Sequence, residues 1–342
     1  MRPPSRFDTG NRATVDITVI VCTYNRCRDL AGALESIAAS QVASSVSWEI
    51  LVVDNGSTDQ TRHVIDGFCR RYPERFRYHF EPKQGLSYAR NAGIANSRGA
   101  VLAFTDDDVT VEPAWLQNLT AASHDSEWAG AGGRILPAQK FTPPPWLPDP
   151  FSDWGGILCA YFDLGENACE LERAPYGANM AFRRSVFAKY GGFRIDLGRN
   201  PGDKIGNEDT EFGRRLIAAG ERLKYEPSAI VYHPIPQGRL TREYFYSWWF
   251  DYGRAMIRER GERPATWGIP RGYLSLLRFA AAMPAMTLRW MLAIKLQQRF
   301  RYKCWVWFAA GQMAELYRRS ANDKRNRVAG AQETKSRWSS YP

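Results

Sequence analysis

Four short runs rich in apolar residues punctuate the first 105 residues: ITVIVCT (17–23), WEILVVD (48–54), FRYHF (76–80) and AVLAFT (100–105). Each is too short for an amphipathic helix and reads as a strand, and all but FRYHF are near-continuously apolar, as strands covered on both faces are. Between them lie helical patterns, from about Asp29 to Ser40, through TRHVIDGFCRRY (61–72), and over about 87–97. Strand and helix in alternation predict a parallel sheet covered by helices on both sides. Ligands of such sheets sit outside the carboxyl ends of the strands. The chemistry-rich segments all fall there: TYNR after the first strand, DNGSTD after the second, DDD after the fourth.

Further on the pattern is less regular. Residues 137–156 carry too much proline for regular structure and read as a covering loop. GANMAFRRSVFAKYGGF predicts a strand turning into a helix, and NEDTEFGRRLIAAG (207–220) a helix with Asn207 as N-cap and Gly220 as its stop. RLKYEP and AIVYH read as two final short strands, and from Arg239 the chain is helical. No internal repeat is present.

Composition narrows the class. A chain of 342 residues, 44% apolar and 24% charged, can bury a large core and is not a disordered polymer. The six cysteines (22, 27, 69, 159, 169, 304) form no CxxC and no zinc-like Cys/His spacing. With no signal peptide in MRPPSRFDTGNRATVD, the expectation is structural thiols in a reducing cytoplasm. The net charge of +10 is divided unequally, −3 over residues 1–238 and +13 over 239–342, with no carboxylate between Glu262 and Glu315. A basic, aromatic tail on a near-neutral body suggests an anionic surface as partner.

The densest chemistry is Asp106, Asp107 and Asp108. Three adjacent carboxylates repel, and Mg²⁺ or Mn²⁺ carrying a diphosphate would relieve the repulsion. A solvated acidic strand end is the plainer alternative. Asp54 and Asn55 stand at a strand end, where they can pair with the polar edge of a base, while Ser57 or Thr58 can cap the next helix. Arg90 lies in a helical turn of GLSYARNAG, a place suited to phosphate, although such arginines more often meet solvent.

In order, TYNR, VDNGSTD, GLSYARNAG, TDDD, GANMAFRR and NEDTEFGRRL resemble the successive motifs of family-2 glycosyltransferases over residues 15–235. The resemblance implies an α/β chain of GT-A fold, with a mostly parallel central sheet flanked by helices and a C-terminal helical extension. It implies a nucleotide-diphospho-sugar donor in the N-terminal half and a divalent metal, Mn²⁺ or Mg²⁺, bridging the aspartates and the diphosphate. Thr23, Tyr24, Asn25 and Arg26 then lie along the donor, Asp54 and Asn55 read its base, and Arg90 meets base or diphosphate. Asp106 and Asp107 address the ribose or a metal-bound water. Asp108 is a metal ligand, joined by Asp106 and His233, the last a strand-end histidine that a purely structural role would also explain. Asp209 matches the general base that takes the proton of the acceptor hydroxyl, with Glu208 beside it, and one displacement inverts the anomeric carbon. The acceptor is a glycan or a lipid-linked sugar. Trp146 and Trp154 can stack on a sugar or simply pack.

The tail has its own reading. YLSLLRFAAAMPAMTLRWMLAI (273–294) is interrupted by Arg278, Pro284 and Arg289, leaving too short an apolar piece to span a bilayer. Basic aromatic helices over 239–320 therefore read as lying on an anionic membrane at its cytoplasmic face, with a packed helical lid as the alternative. Residues 15–238 form the catalytic domain, 1–14 a flexible start and 321–342 a disordered end. A sugar-phosphate nucleotidyltransferase would want a Gly-rich, lysine-bearing loop after the first strand, which CTYNR lacks. A nucleic-acid partner fits the basic tail but not the acidic cluster and neutral body, and the absence of GxGxxG after a strand argues against a dinucleotide enzyme.

Overall fold

The computed structural model describes residues 14–124, 127–152, 154–202, 205–260 and 271–338. They fall in two compact units, one within Met1–Pro144 and Asp149–Leu240, the other within Pro145–Pro148 and Thr241–Pro342. The flexible start expected for residues 1–14 lies, apart from Thr14, outside the described residues.

In the first unit strand and helix alternate as β1 (Val15–Thr23), α1 (Cys27–Ala38), β2 (Trp48–Asp54), α2 (Thr61–Arg71), β3 (Phe76–Phe80), α3 (Leu86–Asn96) and β4 (Gly99–Thr105). There follow β5 (Thr110–Val111), α4 (Trp115–His124), β6 (Gly130–Pro137), α5 (Gly155–Cys159) and β7 (Cys169–Glu170). The unit closes with β8 (Met180–Arg183), α6 (Arg184–Tyr190), α7 (Glu208–Ala218) and β9 (Leu223–His233). The sheet order is β3-β2-β1-β4-β8-β6-β9-β5, with β7 also on β9. β3, β2, β1 and β4 are mutually parallel, whereas β8 is antiparallel to both β4 and β6. This is the expected α/β arrangement, with a mixed half that the apolar pattern did not announce.

Successive residues of β1 point to opposite faces, and both faces are buried. Val19 and Val21 pack with Leu30, Leu34 and Ile37 of α1, whereas Ile20 packs with Ala89 and Ile94 of α3 and Phe104 of β4. That two-sided burial is why the strand is apolar throughout. Register aligns the strand ends: Thr23 pairs with Asp54, and Val21 with Thr105. The residues just after β1, β2 and β4 are thereby brought side by side.

Two strands were expected over 222–233, but β9 is a single strand. Its pairing with β6 jumps from Gly133–Glu226 to Arg134–Ile230, so a bulge absorbs Pro227, which has no N–H for a ladder. Asn179 holds the bulge: its side-chain N–H₂ donates to Arg134 O (2.9 Å) and Ala229 O (2.8 Å), and its Oδ1 accepts from Trp115 Nε1 (2.8 Å). A Cβ on Gly133 would collide with that amide.

The second unit contains α8 (Arg242–Arg260), α9 (Arg271–Leu292) and α10 (Leu296–Trp338). Pro284 sits inside a continuous α9 rather than interrupting it. α10 likewise runs past the boundary placed at residue 321, through a stretch with no proline, and 339–342 lie outside the described residues. Trp146 packs against Phe300 (4.5 Å between ring centroids) and Phe245 (5.7 Å), so of its two expected uses the structure shows packing. α8 and α10 cross in close contact at Gly253 and Gly311, where an added Cβ would strike Phe308 O and Phe250 O. Beside this crossing the fully buried Glu315 meets Arg258 (3.1 Å), Arg254 (3.5 Å), Arg319 (3.9 Å) and Arg318.

Candidate active site

The loop after β1 is tied to the loop after β2. Asn25 adopts φ 52°, a left-handed conformation that asparagine tolerates. Its N–H donates to Ser57 Oγ (2.9 Å), and its Oδ1 accepts from Thr58 N–H (2.8 Å). Ser57 and Thr58 are spent on this tie and do not cap α2. Asp59 supports both loops instead, accepting from Thr61 N–H (2.9 Å) and Cys27 N–H (3.2 Å). Tyr24 stays 39% exposed beside them, and Thr23 is buried.

Asp54 and Asn55 part company. Asp54 accepts Ser57 N–H (2.9 Å) and the Tyr78 hydroxyl (3.2 Å), leaving further lone pairs on each oxygen. Asn55 is engaged at every polar atom of its side chain: its N–H₂ donates to Glu81 O (3.0 Å) and Lys83 O (2.7 Å), and its Oδ1 accepts Gly85 N–H (2.8 Å). Its geometry is that of a brace for residues 81–85, which deliver α3 and Arg90.

The three aspartates also separate. Asp106 Oδ2 and Asp108 Oδ1 each lie 3.7 Å from His233 Nε2, and the three residues offer ligand atoms all within 4.8 Å of one another. His233 Nδ1 is 2.9 Å from Pro234 O, which can only accept, so Nδ1 carries a proton and Nε2 is the ring atom turned toward the carboxylates. Two carboxylates and one imidazole fit a hard or borderline divalent cation such as Mg²⁺ or Mn²⁺. Asp107 turns inward and is 8% exposed. Burial pushes its carboxyl up to about 7, aided by Asp108 and Asp106 and opposed by Arg26 and Thr23. For Asp106, burial is outweighed by His233, Arg90 and Arg199, which hold the carboxyl well below its usual range. Arg26 donates to Asp108 Oδ2 at 2.8 Å, a contact with no sequence signal.

α7 brings in the second acidic pair. Phe212 stacks on Phe187 (4.9 Å) and meets Phe182 edge-on (5.0 Å), anchoring the helix to β8 and α6. Its N-terminal turn carries Glu208, Asp209 and Glu211, favourable at the positive end of the dipole. Asn207 occupies the cap position at φ 73° but makes no side-chain capping hydrogen bond, contrary to expectation, because a left-handed backbone does not aim the side chain at the first turn. Asp209 Oδ2 accepts Gly177 N–H (2.7 Å), and Oδ1 accepts Thr210 N–H (2.6 Å). Glu208 is 3% exposed, and its Oε2 has no hydrogen-bond partner among the described residues.

Arg90 joins the two halves. It is 4% exposed, donates from Nη1 to Glu208 Oε1 and places Nη2 3.8 Å from Asp106 Oδ1. Burial works against its charge, but Glu208, Asp209 and Asp106 outweigh this and keep it protonated. Burial also raises the Glu208 pKa, with Asp209 adding to the rise and Arg90 limiting it. A Cβ on Gly177 would collide with the Arg90 guanidinium, so the glycine of GANMAFRR makes room for an arginine. Burial likewise lifts the nearby Cys22 thiol to about 12, consistent with an inert structural thiol, and all six cysteines are free.

Comparisons with known proteins bear on the family and the fold. The family model described as glycosyl transferase family 2 matches residues 18–191. The succinoglycan biosynthesis protein ExoM of Rhizobium meliloti is 31% identical over 229 residues, 67% of this chain and 70% of that protein. The glucosyl-dolichyl phosphate glucuronosyltransferase of Haloferax volcanii is 28% identical over 247 residues, covering 70% and 77%. Among solved structures, the mannosyltransferase PcManGT from Pyrobaculum calidifontis, in complex with GDP-Man and Mn²⁺, superposes with a TM-score of 0.58 at 18% identity, over 92% of this chain and 91% of that one. At that identity the likeness concerns the fold.

Proposed function

The chain belongs to glycosyltransferase family 2, and on that premise we propose an inverting, metal-dependent transfer of a sugar from a nucleotide-diphospho-sugar to a hydroxyl of a glycan or lipid-linked acceptor. The observation that carries the reading is the Asp106–Asp108–His233 group at the carboxyl edge of the sheet, linked through Arg90 to the acidic turn of α7. A divalent cation held by these three ligands would offset the charge that develops on the departing diphosphate.

The chain's own residues do the rest. Tyr24 offers a ring face to the base, and Asp54, held by Ser57 and Tyr78, reads its edge. Arg26 and Arg90 balance the negative charge of the site. Asp209 accepts the proton of the attacking hydroxyl, its orientation set by Gly177 and Thr210, and the single displacement inverts C1. Glu208 keeps Arg90 in place. The enzyme works as a peripheral protein on the cytoplasmic face of a membrane, with lipid rather than nucleic acid facing the basic tail. In support, among the described residues no helix is long and apolar enough to cross a membrane.

The test is a panel of UDP-, GDP- and dTDP-sugars incubated with the protein, with and without Mn²⁺ or Mg²⁺, and assayed for released nucleoside diphosphate. At least one donor should be cleaved, only with metal, and Asp108→Ala should abolish the cleavage. Release that persists in EDTA, or in Asp108→Ala, would remove the metal-dependent reading.

A further inference from the structure

The second unit carries an apolar corner where α9 ends and α10 begins. Leu288, Met291 and Leu292 share one face of α9 and are 56%, 64% and 69% exposed; Ile294 and Leu296, in and just beyond the turn, are 97% and 45% exposed. Single exposed apolar side chains are ordinary, but five within nine residues mark an interaction surface. Arg289, Lys295 and Arg299 are exposed among them, and Lys303 sits 5.2 Å over the ring of Trp290.

Charge identifies the occupant. No carboxylate occurs anywhere between Glu262 and Glu315, so every charged side chain that this segment itself contributes to the corner is a cation. A second copy docking by two-fold symmetry would bring like charges face to face. An anionic lipid surface neutralises them and accepts the apolar side chains at the boundary of headgroup and acyl chain. We propose that the α9–α10 corner, with Leu288, Met291, Leu292, Ile294 and Leu296 inserted and Arg289, Lys295 and Arg299 on phosphates, is the surface by which this protein docks on an anionic membrane. The proposal rests on the membrane-surface reading above and narrows it from the whole basic tail to one turn. α8 and α10 direct much of their aromatic surface at one another, as in Trp249 against Phe308 (5.8 Å) and Tyr246 against Trp307 (6.3 Å).

Vesicle sedimentation of the full chain tests it, with phosphatidylcholine alone and phosphatidylcholine containing phosphatidylglycerol. The parent should pellet with the anionic vesicles and be released by salt, each cation near the surface contributing about fivefold to partitioning. Leu292→Ser with Ile294→Ser should lower partitioning by at least about tenfold, the loss of two buried aliphatic side chains. Lys295→Glu with Arg299→Glu should lower it on anionic vesicles without needing any change in the apolar face. All four positions are exposed, so thermal unfolding should be unchanged. Undiminished binding of both variants would refute the corner while leaving the membrane reading standing; a parent that binds no vesicle would refute both. A parent dimer in lipid-free buffer that Leu292→Ser with Ile294→Ser turns into monomer would assign the corner to a second copy and overturn the proposal.

Discussion

The sharpest consequences concern single side chains whose partners are visible. Asp209 receives N–H donors on both oxygens, so Asp209→Asn must set its amide against one of them, Gly177 or Thr210. Donor binding should remain near normal while transfer falls by about 10²-fold or more, the scale of a missing general base. Transfer near the parent rate, followed with radiolabelled donor, would leave Asp209 with only its place at the start of α7. Arg90 has a structural consequence as well. Arg90→Ala strands Glu208, 3% exposed, without its cation, and should cost about 3–5 kcal/mol in denaturant melts. Adding Glu208→Gln to Arg90→Ala should recover part of that loss, a coupling that a double-mutant cycle reads directly. At this scale the sequence showed which residue types were present but not their division of labour. Asp106, Asp107 and Asp108 look alike in a line, yet one of them is buried and turned away from His233. Asn55 likewise stands beside Asp54 in the chain, but its contacts with residues 81–85 come from across the fold.

Elements were legible where one physical rule controlled them. β1, β2 and β4 are buried on both faces, so apolar runs marked them within a residue or two. β6 escaped because three of the first four residues of GAGGRILP are glycine, where β8 and Pro175 press too close for side chains, and β9 looked broken because its bulge takes up Pro227. Asp59 shows how a loop can be held by charge. Desolvation alone would raise its carboxyl, but hydrogen bonds from Thr61 and Cys27 together outweigh it and hold the group at about 2, below the ordinary 3.8. A folded-state pKa below the unfolded one means stabilisation that is complete above the unfolded value and lost as pH falls toward the folded one. The stability gap between parent and Asp59→Ala should therefore be constant above about pH 5 and close as pH falls through about 2, as urea melts at several pH values would show. In the second unit, Gly311→Ala forces a methyl onto the Phe250 carbonyl, a backbone atom that cannot rotate aside. A loss of about 1–3 kcal/mol, with faster hydrogen exchange in α8 and α10, is the expected result. Unchanged exchange there would mean that the two helices do not depend on their close crossing.

Over the whole molecule, the uneven charge was plain from the chain alone: a body near neutrality and a tail of +13. At the candidate site Asp106, Glu208 and Asp209 lie about Arg90, while the surplus cations of the chain fall from residue 239 onward. What could not be read was the seam between the units, because Pro145–Pro148 belongs with the helices although it lies within the sheet-forming half of the chain. The candidate site does not depend on that boundary, since all the residues proposed for it belong to the first unit. The site is tested most directly by isothermal titration of UDP, GDP and dTDP into the parent and into Asp108→Ala, each with Mn²⁺ and with EDTA. At least one nucleotide should bind the parent with Mn²⁺ and lose at least about tenfold in affinity with EDTA, or about 1.4 kcal/mol, and Asp108→Ala should show no difference between the two conditions. Equal affinity of the parent with Mn²⁺ and with EDTA for all three nucleotides would contradict a metal held by Asp106, Asp108 and His233.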